Sequence, residues 1–421
     1  MNVNAWTFLH AADLHIDSPL RGLSSYEGAP AERLRLATRE AFGSLVDQAI
    51  QHRVAFVILA GDVFDGDWPD FDSGLWFAHQ LKALDTEGVR VFLVRGNHDA
   101  ESHVTKELRW PDNVHVFDAA DPESVDLPEL AAVLHGQSFA ERAVLDNLAA
   151  NYPAAHSGRL NIGVLHTALG GRASHDTYAP CSLDDLRSKG YDYWALGHVH
   201  KREVVSEDPW VVFPGNIQGR HIGESGAKGA TLVRVEDGRI ASLEPIECDV
   251  ARWAHLKVDV AEVADEDGLI ALCGEQLQAA LAAANHRLLA VRVTLIGSTV
   301  LDSALRLDEL RVRQEIRALG RRVSADLWIE KVMFQTTSLQ GTLESDAGLA
   351  GLAQRILAAQ VSDAEFAGLA SKLERLSARL PDEIRDVCNP VDRKAHERLL
   401  DPAQRYLAAL LGAAQDAADP E

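Results

Sequence analysis

Over roughly the first 245 residues, short apolar runs alternate with longer amphipathic stretches, and each run stops at a small polar cluster. The runs are "AWTFLHAAD" (5–13), "VAFVILAGD" (54–62), "VRVFLVRGNHD" (89–99), "LNIGVLH" (160–166) and "YDYWALGH" (191–198). Between the first two, Leu34, Ala41, Leu45 and Ala49 recur at roughly helical spacing, which predicts a helix from about Ala31; a second is expected over 73–86. Strands alternating with helices predict a largely parallel α/β sheet whose ligands collect at the carboxyl ends of the strands. The stretches "WVVFPGNIQGRH" and "GATLVRVEDGRIASLEPIE" read as β-hairpin material.

The texture changes near residue 250. Residues 255–260, 288–296 and 325–334 read as strands, and 269–284 and 307–318 as helices, enough for a small separate α/β domain. Beyond 340 the chain is rich in Ala and Leu. Phe366, Leu369, Leu373, Leu376 and Leu380 form an apolar stripe on one expected helix ending before Pro381, which suits packing on its own protein or docking of a partner helix. The expected organisation is therefore 1–250, 251–338 and 339–421.

Length changes this picture little: 421 residues exceed what one core usually holds, so two domains with an appended segment are expected. Charge narrows it, because 63 acidic against 41 basic residues give a net charge of -22, which disfavours sequence-blind nucleic-acid binding but permits a local basic track. The four cysteines, Cys181, Cys248, Cys273 and Cys388, form no Cys-x-x-Cys pair, so neither a zinc knuckle nor a redox dithiol is indicated and a reduced, cytoplasmic protein is expected. The N-terminal stretch lacks the pattern of a signal peptide, and no run approaches the ~18 apolar residues of a membrane span. Neither secretion nor a membrane partner is expected.

The polar clusters carry the chemistry: Asp13 with His15, Asp62, then Asn97, His98 and Asp99, then His166, and last His198 with His200. Were the backbone extended past Gly197, His198 and His200 would face one side, and the same holds for Asp13 and His15. Taken singly, Asp62 also suits a turn or helix cap, Asn97 a turn, and His166 a hydrogen-bonded core position. All five strand ends terminate in potential metal ligands, however, which independent structural roles do not explain. Asp13, His15, Asp62, Asn97, His166, His198 and His200 are too many for one tetrahedral zinc and suit two metals sharing a carboxylate, at the roughly 3.5–4 Å separation of two-metal sites. Imidazole and oxygen donors without thiolate favour manganese, then iron or zinc, over magnesium.

These blocks, "DLH", "GDVFD", "GNHD", His166 and "GHVH", resemble in kind and order the calcineurin-like metallophosphoesterase superfamily. Within it, "FLHAADLHIDSPL", "YAPCSLDDL", "DYWALGHVHKRE" and "FPGNIQGRH" are most similar to the SbcD-type DNA repair nucleases, in particular the bacterial YhaO-like branch. The resemblance covers residues 1 to about 235. It implies a four-layer α/β/β/α sandwich, a small α/β capping domain and a helical C-terminal segment. It implies one metal on Asp13, His15, Asp62 and His200, and another on Asp62, Asn97, His166 and His198. His98 is then the proton donor to the leaving oxygen, Asp99 orients it or is a plain turn residue, and a metal-activated water is the nucleophile.

The implied activity is that of a DNA exonuclease working with an SMC-like coiled-coil ATPase (SbcC-like), contacted through the segment after the capping domain; a homodimer is compatible. The alternative keeps the site and changes the substrate to a cyclic nucleotide, a dinucleoside polyphosphate or a phosphoprotein. One departure stands out: Asp65 occupies the place, three residues after Asp62, where such nucleases often carry a histidine. Beside a phosphate an acid is unfavourable unless it binds metal or holds a neighbouring cation. Arg21, Lys201, Arg202, Arg220, His221 and Lys228 are equally readable as a phosphate track or as solvated surface. Trp68, Trp76 and Trp110 suit base stacking or, better, core packing.

Overall fold

The structure is a computed structural model that describes residues 5–18, 20, 28–65, 72–101, 109–170, 178–285, 287–338, 403–404 and 406–407. The first apolar runs become β1 (Ala5–Ala11), β2 (Phe56–Ala60) and β3 (Arg90–Val94), separated by α1 (Ala31–Gln51) and α2 (Asp72–Thr86). After α3 (Asn97–Glu101) come β4 (Val114–Val116), β5 (Glu123–Leu127), β6 (Ala132–Gly136), β7 (Leu160–His166), α4 (Leu183–Arg187) and β8 (Tyr193–Gly197). Then follow β9 (Glu203–Glu207), β10 (Trp210–Phe213), β11 (Gly229–Glu236) and β12 (Arg239–Glu247).

The largely parallel sheet expected from the alternation is in fact two mixed sheets, ordered β12-β11-β1-β2-β3-β4 and β5-β6-β7-β8-β10-β9. Their centres are parallel, but β11 joins β1 antiparallel, and β5 and β9 are antiparallel edges. The chain after residue 200 is shared between them: β9 and β10 extend the second sheet, and the β11–β12 hairpin returns to the first.

A period of two assigns each central strand to two layers at once. In the first sheet Leu9, Val57, Leu59, Val91 and Leu93 face Phe42 and Leu45 of α1 and Phe77 and Leu81 of α2. Their neighbours Phe8, Phe56, Ile58 and Phe92 face the second sheet, meeting Ile162, Val164, Tyr193, Ala195 and Val212. The opposite parity of the second sheet, Leu165, Trp194, Leu196, Val211 and Phe213, packs under Leu186 of α4. Burial on both faces explains why these runs read as continuously apolar, and the sequence of layers is α/β/β/α. At the C-terminal ends of β2 and β8 the sheets are in close contact: a Cβ on Gly197 would overlap the Ala60 carbonyl oxygen.

The chain divides into two compact units: Met1–His255 with Ala280–Val291 and Asp326–Glu330, and Leu256–Ala279 with Arg292–Ala325 and the chain from Lys331 on. Residues 251–338 carry a third sheet of β13 (Ala251–Asp259), β14 (Leu288–Thr299) and β15 (Leu327–Ser338), in that order, together with α5 (Glu266–Ala283), α6 (Asp302–Leu307) and α7 (Glu309–Val323). The helix expected over 307–318 is α7, which starts at Glu309 and runs on to Val323; the short α6 precedes it, parted from it at Asp308, whose φ of -132° is not helical. The stripe from Phe366 to Leu380 lies outside the described residues. Among the described residues no helix is long and apolar enough to cross a membrane.

Candidate metal centre

All seven donors expected from sequence come together at the carboxyl ends of the strands, in the first unit. Ligating atoms of Asp13, His15 and His200 lie within 4.8 Å of one another, as do those of Asp62, His166 and His198, and those of His15, Asp62 and His98. The His15 Nε2 and His200 Nε2 atoms are 3.1 Å apart. His166 Nε2 is 3.0 Å from Asn97 Oδ1 and 3.3 Å from Asp62 Oδ2. Asp13, His15, Asp62, Asn97, His166 and His198 are all buried, and His200 is half-buried.

The local backbone that achieves this is not the extended one expected. His198 has φ 99°, and Asp13, His15 and Asp62 have φ 53°, 43° and 52°, a region that side chains other than glycine rarely enter. The loops after β1 and β2 run side by side, with the Asp13, His15 and Ile16 amides donating to the carbonyls of Gly61, Asp62 and Val63. The His198 amide donates to both Asp13 carboxylate oxygens, at 3.0 and 3.1 Å, and so ties the second sheet's loop to the first sheet's ligand. The His98 amide donates to Asp62 Oδ1 at 3.0 Å. Asn97 opens α3 rather than a turn, because Asp99 in its first turn accepts from the amides of Gly96, Val63 and Phe64.

Orientation of the imidazoles is set from behind. His166 Nδ1 donates to the Ala60 carbonyl at 2.9 Å, which turns Nε2 toward Asp62 and Asn97, and against its burial the Asp62 and Asp13 carboxylates raise this ring to about 9. Burial, aided by Arg220, pushes His15 down to about 3, so that ring is neutral, as a ligand must be. Burial opposes the charge of Asp62, yet the His166 ring, by its charge and its hydrogen bond, holds the carboxyl well below the usual range. Burial also raises Asp13, and with Asp62 nearby it raises Asp99 to about 6. The donors are imidazole nitrogen and carboxylate or amide oxygen, converging on one another within the two clusters. That set fits two divalent cations sharing Asp62, and the spread of donors exceeds what one ion can use.

Asp65 proves to be engaged on every side. Its Oδ1 lies 2.9 Å from His98 Nδ1 and 3.6 Å from His15 Nδ1, and its Oδ2 accepts from Ser18 Oγ at 2.7 Å and from Arg220 Nη1 at 3.4 Å. These donors outweigh burial and keep the carboxylate ionised, and Asp65 in turn raises His98 against the effect of its burial. The carboxylate set against the His98 ring is thus Asp65; Asp99, expected to orient that ring, has its carboxylate on the three backbone amides.

Of the basic residues, Arg220 joins the site, Lys228 Nζ holds the His200 carbonyl at 2.8 Å, Lys201 is exposed and Arg202 half-buried. His221 is exposed, and its Nδ1 accepts from the Gly223 amide. Trp76 and Trp110 pack on the helix side of the first sheet, the core role; Arg21 and Trp68 lie outside the described residues. Sequence reasoning missed Glu224, Asn216 and Ser18, each a single polar residue in a loop without periodic signal.

Residues 7–202 match the family of calcineurin-like phosphoesterases, and residues 253–337 match the middle domain of the metallophosphoesterase YhaO. The chain is similar to the "Uncharacterized metallophosphoesterase YhaO" of Bacillus subtilis, 40% identical over 260 residues that cover 61% of this chain and 64% of that one. It is 26% identical to the "DNA double-strand break repair protein Mre11" of Sulfurisphaera tokodaii, over 54% of this chain and 61% of that protein. With the protein of the same name from Methanopyrus kandleri it shares 25% identity, over 61% of this chain and 59% of that one. The chain thus spans less than two thirds of the length of the curated relatives it matches.

Proposed function

Because the chain belongs, through residues 7–202, to the calcineurin-like phosphoesterase family, we propose that it is a two-metal phosphodiesterase that hydrolyses DNA, as an exonuclease. The observation that carries the proposal is the meeting of two donor clusters across the shared Asp62, with His98 at their edge. Two divalent cations held there would activate a water and polarise the phosphoryl oxygens; manganese suits the mixed nitrogen and oxygen donors best. His98, with Nδ1 on Asp65, presents Nε2 as the proton donor to the leaving oxygen, and Asp65 fixes the ring for it. Arg220 neutralises Asp65, so the acid at this position does not repel an approaching phosphate.

DNA as substrate draws on the similarity to the two Mre11 proteins and on the basic residues Lys201, Arg220 and Lys228 that follow the site-forming strands. The partner that suits this reading is an SMC-like coiled-coil ATPase, taken up by the segment 339–421, and the compartment is the cytoplasm. The test is digestion of end-labelled single- and double-stranded DNA with manganese, with and without the ATPase, beside a phosphate monoester. Release of nucleotides from DNA ends is expected. Monoester hydrolysis without any DNA cleavage moves the substrate to a small phosphoester. Partner binding that survives deletion of residues 340–421, in a protein that still cleaves a model diester, overturns the assignment of that segment.

A further inference from the structure

Glu224 closes a single 3-10 turn, Ile222–Glu224, in the loop after β10, and is only 6% exposed. A carboxylate so buried is costly unless every oxygen is bonded, and here every oxygen is. Oε1 lies 2.7 Å from His200 Nδ1 and 3.2 Å from Arg220 Nη2, while Oε2 accepts from the Arg220 amide at 2.8 Å and from Asn216 Nδ2 at 2.9 Å. An ionised carboxylate only accepts, so the 2.7 Å contact requires the proton on Nδ1. The other nitrogen, Nε2, is then the one without a proton, and it lies 3.1 Å from His15 Nε2 and 4.0 Å from Asp13 Oδ1. The main chain of His200 is secured separately by Lys228 Nζ, so Glu224 acts on the ring.

We propose that Glu224 is the positioning residue of the metal centre: one carboxylate turns His200 toward Asp13 and His15 and, through Arg220, braces Asp65 against His98. This rests on the two-metal reading of the site. Carboxylates behind ligating imidazoles fix tautomer and orientation, and their loss weakens metal binding by about 10- to 100-fold. A turn-closing role alone would leave the ions indifferent to the change.

The test is calorimetric titration of the full-length, metal-stripped chain with Mn²⁺, alongside its thermal melt. Glu224→Gln is expected to weaken one of two equivalents by about 10- to 100-fold and leave the other within about twofold. In a His200→Gln background, adding Glu224→Gln is expected to change metal affinity no further. Two unchanged equivalents, or an undiminished effect once His200 is gone, overturns the proposal. If Glu224→Gln does not fold, Glu224→Asp, which keeps the charge and retracts it by one methylene, must show the same selective loss, and two unchanged equivalents there overturn it. A wild-type chain that takes up one ion counts against the two-metal reading instead; Glu224 is then judged by whether its replacement weakens that ion.

Discussion

Left-handed backbone at Asp13, His15, Asp62 and His198 costs on the order of 1–3 kcal/mol per residue, and it is concentrated where the donors must converge. Donors and proton donor should separate on mutation. Asp62→Ala is expected to abolish metal uptake, whereas His98→Ala should keep both ions and lose about 10²–10⁴ in kcat, read by metal analysis beside diester turnover. Unchanged turnover in the second variant removes the proton-donor role. A different histidine answers to pH. His10 is fully buried, with Nδ1 2.9 Å from the Tyr193 hydroxyl, and burial pushes it down to about 3, so the folded chain refuses a proton that the unfolded chain accepts below about 6.5. Stability is therefore present at pH 7 and lost as pH falls through 6.5. His10→Gln should reduce the loss between pH 7 and pH 5 by about 2 kcal/mol, measured by denaturant unfolding at both values. At this scale the donors were legible because Asp, Asn and His ended five apolar runs. Glu224 and Asn216 were not, since a loop residue that acts on another side chain leaves no spacing to read.

Strands and helices were legible where one face had a single environment. The α1 spacing of Leu34, Ala41, Leu45 and Ala49 marks its buried face, and β2 and β8 are apolar throughout, β3 and β7 nearly so, because they lie between layers. The strands β4 and β5 escaped, being half-exposed edges of three and five residues whose polar content masks the period, and so did β6, which is buried throughout but only five residues long. The backbone turns after β1 and β8 also escaped, because partners distant in sequence hold them: the loop after β2 for the first, and the Asp13 carboxylate across the two sheets for the second. That closeness predicts that Gly197→Ala, whose methyl would overlap the Ala60 carbonyl, forces β8 away from β2. A loss of about 1–3 kcal/mol is expected, with weakened metal uptake in the same protein, since overpacking against a main-chain carbonyl has little room to relax. A wild-type melting temperature in that variant would mean the sheets part more easily than the contact implies.

For the molecule as a whole, a net charge of -22 disfavours long-range attraction of any polyanion, so under the proposed DNA reading affinity is expected to depend on the few cations around the site. Metal should also be worth folding energy: at a free Mn²⁺ concentration of about 100 Kd each ion adds about 2.7 kcal/mol, and a chelator should lower the melting temperature accordingly. A melt insensitive to both would show that the donors bind no ion.

The donors are divided by origin. Asp13, His15, Asp62 and Asn97 follow strands of the first sheet, while His166, His198 and His200 follow strands of the second. Neither half of the sandwich is a complete chelator. Severed between β4 and β5, the chain would yield two pieces, one able to offer mainly oxygen and the other only imidazole, and a tightly held ion would appear only on reunion. Metal uptake is in that sense a certificate of assembly, issued by the fold before any phosphate arrives.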